Sequence, residues 1–314
     1  MPNVFITGAT GFIGQKLCEE MLTRCWKIKA CVRKGSGKLL PAGIESMSID
    51  SIETCPFKKE DFSEIDTVIH LAARVHILKE SENDSLAAFR KLNVHATECL
   101  ARTAAAAGVK RFIFMSSVKV NGEGSAEIYR EDDPPDPKDA YGISKKEAED
   151  VLRRIGRETG LEIVILRSPL VFGPGVKANF RQLMKIACLP LPLKNVDNQR
   201  SMIYLGNLVD AVLTCVTHPG AAGQTFLISD GHDISTPDLV RKLAEAMGRR
   251  AHLFSLPGGV LNILGKIAGK SDAIEKLTGS LRVDSSKIRE VLGWKPPFTT
   301  EEGIAETAGK GKAC

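Results

Sequence analysis

Val4-Phe5-Ile6-Thr7-Gly8-Ala9-Thr10-Gly11-Phe12-Ile13-Gly14 joins a short apolar run to a glycine-rich loop near the start of the chain. In the residues that follow, Leu17, Met21 and Leu22 recur at helical spacing, so the segment predicts a strand, a tight loop and a helix. Glycines in such a loop let the backbone turn, approach a pyrophosphate and pack the helix on the strand, while the helix N-terminus attracts negative charge. The pattern predicts a dinucleotide site whose contacts are Gly8, Thr10, Gly11, Phe12, Ile13 and Gly14.

The ends of the next two predicted strands bear on which dinucleotide binds. The strand Ile28 to Val32 ends at Arg33, where a site selective for NAD carries an acid that binds the ribose hydroxyl. A cation at this point pairs with a 2′-phosphate, so Arg33 favours NADP(H), with NAD(H) as the alternative and a surface arginine as the simpler explanation. Asp50, after the strand Ile44 to Ile49, is predicted either to accept a hydrogen bond from the adenine or to form a turn.

Two later strands are predicted to complete the cofactor site. Thr67 to Leu71 has a buried-strand pattern and ends in Ala72-Ala73, whose small side chains allow a cofactor to lie close to Leu71, Ala72 and Ala73. We expect His70, inside that strand, to be a hydrogen-bonded core histidine. A long helix from about Ser85 to Ala107 carries Asn93, and the strand Arg111 to Met115 then leads into Ser116-Ser117-Val118-Lys119-Val120-Asn121-Gly122.

The segment Tyr141-Gly-Ile-Ser-Lys145 starts a run of strong helix formers, so Tyr141 and Lys145 share one helix face. Asp136 and Pro137 are predicted to be the N-cap and first residue of that helix. An ammonium at about 4 Å in a partly buried site lowers the pKa of a phenol by up to roughly three units. On this basis Tyr141 is a candidate general acid or base near neutral pH, although the spacing alone also fits an ordinary amphipathic helix.

Composition excludes several other classes of protein. The 314 residues are 43% hydrophobic and 26% charged, which is enough for one large domain or two smaller ones. The net charge of +5 includes no basic run and the aromatic content is 5%, so we expect no nucleic-acid partner. We also expect no membrane segment, no metal site and, because the eight cysteines stand singly, free thiols in a reducing cytoplasm.

Taken together, Thr7-Gly-Ala-Thr-Gly-Phe-Ile-Gly14, His70-Leu-Ala-Ala73, Asn93, Ser116-Ser117 and Tyr141-Gly-Ile-Ser-Lys145 resemble the extended short-chain dehydrogenase/reductase family of nucleotide-sugar epimerases, dehydratases and reductases. The resemblance implies that Ser117 orients the sugar oxygen, that Tyr141 exchanges the proton, and that Lys145 lowers the tyrosine pKa and holds the nicotinamide ribose. It also implies cofactor contacts from Asn93 and Ser116.

The second half of the chain carries further segments similar to that family. Arg167-Ser-Pro-Leu-Val-Phe-Gly-Pro174 looks like its loop near the nicotinamide, which makes Pro169 a cofactor contact. Asn179 and Arg200 match positions that hold the nucleotide diphosphate, although Ser201 replaces the acid that usually follows the arginine. Arg282 is another candidate phosphate contact, with a surface ion pair as the favoured explanation.

The expected fold is α/β, a Rossmann-type doubly wound parallel sheet with a smaller C-terminal substrate domain. The predicted parts are an NAD(P)-binding domain at 1–167, a substrate domain at 168–307 in which the chain crosses back to the sheet, and a disordered tail at 308–314. The helices near 85–107 and 138–160 resemble the family's dimer-forming pair, so a homodimer is expected.

Departures from the family pattern indicate the reaction. Val118-Lys119 stands where sugar 4,6-dehydratases carry Asp-Glu, which argues against dehydration, and Lys119 and Asn121 become candidate sugar contacts. With Arg33, this favours an NADPH-dependent reduction of a UDP-4-keto-6-deoxy-hexosamine in surface polysaccharide synthesis. The alternative is a UDP-hexose or UDP-N-acetylhexosamine 4-epimerase. A non-catalytic dinucleotide sensor is disfavoured because Tyr141 and Lys145 are both present.

Overall fold

The computed structural model describes residues 1–75, 82–124, 127–256 and 271–309. The predicted packing helix at 256–269 therefore lies almost wholly outside the described residues, as do residues 310–314 of the predicted tail. Ala308 is buried within the last helix, so ordered structure continues two residues into that tail.

The strands of the described residues are short and mostly buried. In chain order they are β1 (Asn3–Thr7), β2 (Lys27–Arg33), β3 (Glu45–Ile49), β4 (Thr67–His70), β5 (Arg111–Ser117), β6 (Ile128–Tyr129), β7 (Glu162–Ser168), β8 (Leu170–Phe172), β9 (Pro190–Leu191), β10 (Met202–Tyr204), β11 (Thr225–Leu227), β12 (His252–Leu253) and β13 (Arg282–Val283).

The helices alternate with these strands along the chain. They are α1 (Phe12–Thr23), α2 (Glu82–Arg90), α3 (Ala96–Ala106), α4 (Ala140–Thr159), α5 (Ala178–Ile186), α6 (Leu205–Thr217), α7 (Thr236–Ala246), α8 (Ser271–Thr278), α9 (Ser286–Leu292) and α10 (Thr300–Gly309). A π-helical turn at Lys91–His95 joins α2 to α3, so the predicted long helix is one rod with a local bulge.

Seven parallel strands of the described residues form the central sheet in the order β11-β7-β5-β4-β1-β2-β3. The register pairs Phe5 with Val68 and with Lys29, so β1 lies between β4 and β2 and the chain winds outward from it in both directions. The predicted doubly wound fold is confirmed. Because the strands are parallel, their carboxyl ends meet at one edge, and the loops after β1, β4, β5 and β7 gather there.

Helices cover both faces of the sheet, which explains the near-continuous apolar runs in its strands. On one face, Leu17 and Met21 of α1 pack with Leu208 and Val212 of α6. On the other face, residues of α3 and α4 pack on β5 and β7, for example Leu152. Each of these large side chains is fully buried, which contributes about 1.5–3 kcal/mol.

The chain crosses back to the sheet after residue 168, as expected. Strand β11 pairs with β7, so residues from the second half complete one edge of the sheet. A separate apolar cluster, containing Phe172, Phe180 and Leu243, forms the core of the remaining second half. The exact domain boundary stays a prediction.

Two local predictions were wrong. Helix α4 begins at Ala140, and its N-cap is Asp139, which accepts a hydrogen bond from the Gly142 amide at 2.7 Å. The prolines keep the preceding backbone extended, which moves the start three residues on from Asp136. In addition, Cys55 and Cys99 form a disulfide, with Cα atoms 5.9 Å apart, because the loop after β3 packs on α3.

Candidate active site

The glycine loop after β1 is closely fitted to the backbone around it. Gly8 has a φ of 75°, which favours glycine, and a Cβ there would lie 2.8 Å from the Ala72 nitrogen. A Cβ on Gly14 would overlap the Gly8 carbonyl oxygen and lie 2.7 Å from the Ala9 Cα. Larger residues at these two positions would therefore push α1 away from the sheet.

The start of α1 can accept an anion. Gly11 is the N-cap and offers no side chain, and the first turn of the helix contains no acidic residue. The amide groups of this turn have no partners within the helix, and they carry the positive end of its dipole. Gly11 is exposed and Thr10, Phe12 and Ile13 are half-buried. This donor set fits the pyrophosphate of a dinucleotide.

The two side chains predicted to recognise the rest of the dinucleotide differ in their surroundings. Arg33 is exposed at the end of β2, and no carboxylate of the described residues pairs with it. Asp50 is exposed after β3 and forms an ion pair with Lys34, whose Nζ lies 2.8 Å from Oδ1 of Asp50. Arg33 is therefore available to a ligand, whereas Asp50 already has a partner.

The end of β4 lies against the glycine loop. The Leu71 amide donates to the Thr7 carbonyl at 3.2 Å, and the Ala72 amide donates to the Thr7 hydroxyl at 3.3 Å. His70 is fully buried between the hydroxyls of Thr7 and Thr97, at 2.6 and 2.9 Å. Burial, together with the nearby charge of Lys145, lowers the pKa of His70 to about 3. The predicted core histidine is confirmed.

Asn93 is buried in the π-helical turn. Its amide oxygen accepts from the Arg74 amide at 2.9 Å, and its amide nitrogen donates to the Arg74 carbonyl and the Ser144 hydroxyl at 3.1 and 2.9 Å. Asn93 therefore ties the loop after β4 to α4. Its predicted direct contact with a cofactor stays a prediction.

The three predicted catalytic residues converge where β5 meets α4. Tyr141 is half-buried, and its side chain lies near that of Ser117, the last residue of β5. The Lys145 ammonium is buried, donates to the Met115 carbonyl at 2.7 Å and lies 5.9 Å from the centre of the Tyr141 ring. Ser116, also predicted near the cofactor, is buried and points to α4 through a hydrogen bond to Glu149 at 2.6 Å.

The structure does not show the expected lowering of the tyrosine pKa. Burial and the charge of Asp139 raise the pKa of Tyr141 to about 12, although the nearby Ser117 hydroxyl opposes them. Lys145 lies too far away to dominate, and burial lowers its own pKa to about 7, against the opposing effect of Glu149. A role of Tyr141 as a base near neutral pH therefore requires a positive charge close to the phenol.

The two candidate sugar contacts after β5 already have partners. The Lys119 ammonium pairs with Asp139 and, at 2.6 Å, with Glu123. Burial lowers the pKa of Lys119, but these hydrogen bonds outweigh it and leave the pKa raised. Asn121 is buried, donates to the Arg130 carbonyl and accepts from Arg167. These contacts give both residues structural roles, and their contact with a sugar stays a prediction.

The candidate phosphate contacts of the second half lie on neighbouring backbone segments. Arg200 is half-buried, bridges Ile234 and Leu281 through its backbone, and donates to the Gly279 carbonyl at 2.7 Å. Burial lowers its pKa, because no carboxylate of the described residues offsets the loss of water. A half-buried guanidinium without a counter-charge is suited to an anionic ligand.

Arg282 differs, because Asp233 holds it at 2.7 Å. Asp233 also accepts from Ser201 at 2.5 Å, and so supplies a carboxylate beside the segment where the family acid is replaced by serine. Arg282 therefore forms an ion pair, and its contact with a phosphate stays a prediction. Pro169 is buried directly after β7, and Asn179 is the second residue of α5, so their predicted ligand contacts stay predictions.

Sequence reasoning missed two acidic residues of this region. Asp233 lies in a loop with no motif of its own and could not have been found from the sequence. Glu149 lies one helical turn after Lys145, and this spacing could have indicated that the two side chains share one helix face. It is fully buried and bound by Arg167 at 2.7 Å.

A model of the NAD dependent epimerase/dehydratase family matches residues 4–229. The chain belongs to this family. A UDP-glucose 4-epimerase of Vibrio cholerae is 41% identical over 98% of this chain and 94% of its own length. A dTDP-4-dehydro-6-deoxyglucose reductase of Escherichia coli is 26% identical over 96% of this chain and 95% of its own. The crystal structure of a UDP-glucuronic acid 4-epimerase from Bacillus cereus with NAD shares the fold, with a TM-score of 0.78, 20% identity and 98% coverage of both chains.

The family match confirms the predicted resemblance to the extended short-chain dehydrogenases/reductases, and the chain is an enzyme of that kind. Within the described residues, no three His, Cys, Asp or Glu side chains converge as a metal site would require. None of the helices in the described part of the chain combines the length and apolar composition needed to cross a bilayer.

Proposed function

We propose that this enzyme is a 4-epimerase of a UDP-hexose or UDP-N-acetylhexosamine that uses a bound nicotinamide dinucleotide. The observation that carries the proposal is the convergence of Ser117, Tyr141 and Lys145 in a chain that is 41% identical to a UDP-glucose 4-epimerase over nearly its whole length. That relative supports the alternative stated for the sequence better than the reductase that the sequence patterns favoured.

The chain's own groups divide the work at carbon 4. Ser117 orients the sugar oxygen, and Tyr141 takes the hydroxyl proton when the carbon is oxidised and returns it when the carbonyl is reduced. Lys145 supplies positive charge below the phenol. The nicotinamide, when bound, supplies the acceptor and donor of the hydride. Inversion at carbon 4 then requires the 4-keto sugar to turn over within the site between the two steps.

The second half is proposed to hold the nucleotide diphosphate. Arg200 provides a half-buried cation without a carboxylate partner, and Arg282 provides a second cation fixed by Asp233. Asn179 is proposed to contact the diphosphate, and Lys119 and Asn121 to line the sugar pocket. The substrate would then extend from the arginines to Tyr141. The second half of the chain would bind its diphosphate, and the first half would bind its sugar.

A second candidate is the predicted reduction of a UDP-4-keto-6-deoxy-hexosamine by NADPH. The exposed Arg33 at the end of β2 favours this reduction. No carboxylate of the described residues pairs with Arg33, so its guanidinium can pair with the 2′-phosphate of NADPH. The reductase from Escherichia coli, which is 26% identical over 96% of this chain, supports it as well. A cytoplasmic homodimer acting in polysaccharide synthesis is part of both proposals.

One experiment separates the candidates. Freshly purified protein is denatured and the released nucleotide is identified, and the native protein is assayed for interconversion of UDP-glucose and UDP-galactose and of their N-acetyl forms. Stoichiometric NAD and interconversion without added coenzyme support the epimerase. An empty protein that consumes NADPH only with a 4-keto sugar supports the reductase. Tyr141→Phe should abolish turnover in either case with coenzyme binding intact, and undiminished activity in that variant would contradict both.

A further inference from the structure

Two consecutive residues of β5 are bonded to successive turns of α4. The Met115 carbonyl accepts from Lys145 at 2.7 Å, and the Ser116 hydroxyl donates to Glu149 at 2.6 Å, while Ser117, the next residue of the strand, lies near Tyr141. The helix residues are spaced four apart, so all three lie on the face that meets the strand. Glu149 is thus built into the same seam as the catalytic pair, and it is the anionic member of that seam.

Glu149 is fully buried and is held by several hydrogen bonds. Its side chain is 0% exposed and accepts from the Arg167 guanidinium at 2.7 and 3.0 Å. Arg167 lies opposite Ser116 in the register of β5 and β7, so the two strands present a cation and a hydroxyl to one carboxylate. Arg167 is itself fixed by the Asn121 side chain at 3.1 Å.

Burying a carboxylate completely costs free energy of solvation, even when an arginine pairs with it. Replacing a buried ion pair such as Glu149–Arg167 by apolar residues is often neutral or stabilising, so stability alone does not explain this pair. We propose that Glu149 is a positioning residue for catalysis, whose negative charge keeps the Lys145 side chain in its ammonium form beneath Tyr141. Arg167 then serves to fix the carboxylate one turn from Lys145.

The charges around Lys145 agree with this role. In the described part of the chain, the other titratable side chains that we find close to it are Tyr141 on α4 and His70 on β4, and the low pKa of His70 keeps that ring neutral. Beyond Glu149 lie the cations Arg167 on β7 and Arg153 on α4, and Asp139 acts on Tyr141. Burial lowers the pKa of Lys145 to about 7, and the opposing charge that acts on it is Glu149.

Glu149→Gln tests the proposal because it keeps the shape and removes the charge. The pKa of Lys145 is measured by NMR on protein labelled with [ε-13C]lysine, with nucleotide content matched between samples and Lys145→Met used for assignment. Among the described lysines with a resolved shift, Lys145 is the one whose pKa is lowered, so its signal titrates apart from the rest. We expect the variant to lower it by about one pH unit or more.

Glu147→Gln is the matched control, since Glu147 lies on the same helix but pairs with the partly exposed Arg90 at 2.6 Å. It should leave the Lys145 titration unchanged. An unchanged titration in folded Glu149→Gln protein would overturn the proposal. Where the single variant fails to fold, Glu149→Gln is combined with Arg167→Gln, and Arg167→Gln alone is the reference, so that loss of the cation is common to both proteins. A lower Lys145 pKa in the double variant than in this reference supports the charge effect, whereas equal values mean that Glu149 is only structural.

The kinetic arm rests on the proposed function. If the unmodified enzyme interconverts UDP-sugars, the fall of kcat with rising pH should begin about one unit lower in Glu149→Gln, because Lys145 loses its proton sooner. A shift in KM alone would contradict the proposal. If the unmodified enzyme turns over no UDP-sugar, the proposed function fails, and the NMR titration still decides the role of Glu149.

Discussion

Two regions of this chain are proposed to hold phosphate groups, and they are built in opposite ways. The glycine loop after β1 offers backbone amides at the start of α1, and its shape depends on contacts between residues of one short segment and the end of β4. The arginine region instead offers side chains, Arg200 and Arg282, from segments 82 residues apart that meet through a backbone bridge between Arg200 and Leu281, and Asp233 pairs with Arg282. The backbone of the first region leaves no room for a side chain at Gly8 or Gly14, whereas the arrangement of the second region depends on charge pairs such as Arg282–Asp233.

The largest expected effect comes from adding one methyl group to the backbone-built region. In Gly14→Ala the new Cβ would overlap the Gly8 carbonyl, which neither segment can avoid without a shift of α1. We expect a loss of about 3 kcal/mol in the free energy of unfolding, together with loss of tight coenzyme binding, measured by denaturant unfolding and by release of bound nucleotide. Gly37→Ala is the control, because a Cβ there meets no atom within 4 Å. Equal stability of the two variants would show that the loop has more room than its geometry indicates.

In the arginine region, Arg200→Met should have the next largest effect. It removes a half-buried cation that no carboxylate of the described residues neutralises, so the diphosphate would lose a charge-assisted partner worth about 3 kcal/mol. We expect KM for the UDP-sugar to rise roughly 100-fold with coenzyme affinity unchanged. Arg241→Met is the control, because Arg241 is an exposed arginine of the same half that pairs with Asp238. If both variants have the KM of the unmodified enzyme, the diphosphate binds elsewhere.

The same contrast explains what the sequence allowed us to predict. The glycine loop, the strands around it and the Tyr141–Lys145 pair follow from local spacing, and the fold that they indicate is confirmed. The family motif placed Arg200, but Asp233 comes from a loop that contacts Ser201 only after the chain has folded. The disulfide between Cys55 and Cys99 was missed for the same reason, because no local pattern links the two cysteines.

Protonation states were the hardest property to predict. Helical spacing correctly put Lys145 beside Tyr141, but the expected pKa of the phenol assumed an ammonium at close range. In the folded chain burial acts on both groups, raising one pKa and lowering the other. Desolvation depends on every element packed around a site, so spacing within one helix does not determine it.

A smaller effect is expected from Asp233→Asn, which tests how the second region orients its cations. The carboxamide keeps the size of the side chain and can still bond Ser201, but it no longer pairs with the Arg282 guanidinium at 2.7 Å. We expect KM for the UDP-sugar to rise about tenfold because Arg282 becomes free to move, with kcat nearly unchanged. Steady-state kinetics provide the measurement, and Asp238→Asn is the control at an exposed pair. A fall in KM would mean that Asp233 competes with the substrate for Arg282.

The smallest expected effect concerns the one side chain of the first region that is proposed to recognise a phosphate. Arg33 is exposed at the end of β2, so its charge is screened and worth about 1 kcal/mol at most. Arg33→Asp should therefore shift the ratio of NADP(H) to NAD(H) affinity about fivefold toward NAD(H), measured by titration of nucleotide-free protein with each coenzyme. Lys34→Asp is the control, because Lys34 pairs with Asp50. If the ratio of NADP(H) to NAD(H) affinity is the same in both variants, Arg33 does not bind the ribose 2′-phosphate. Coenzyme binding in this region then depends on the backbone of the glycine loop.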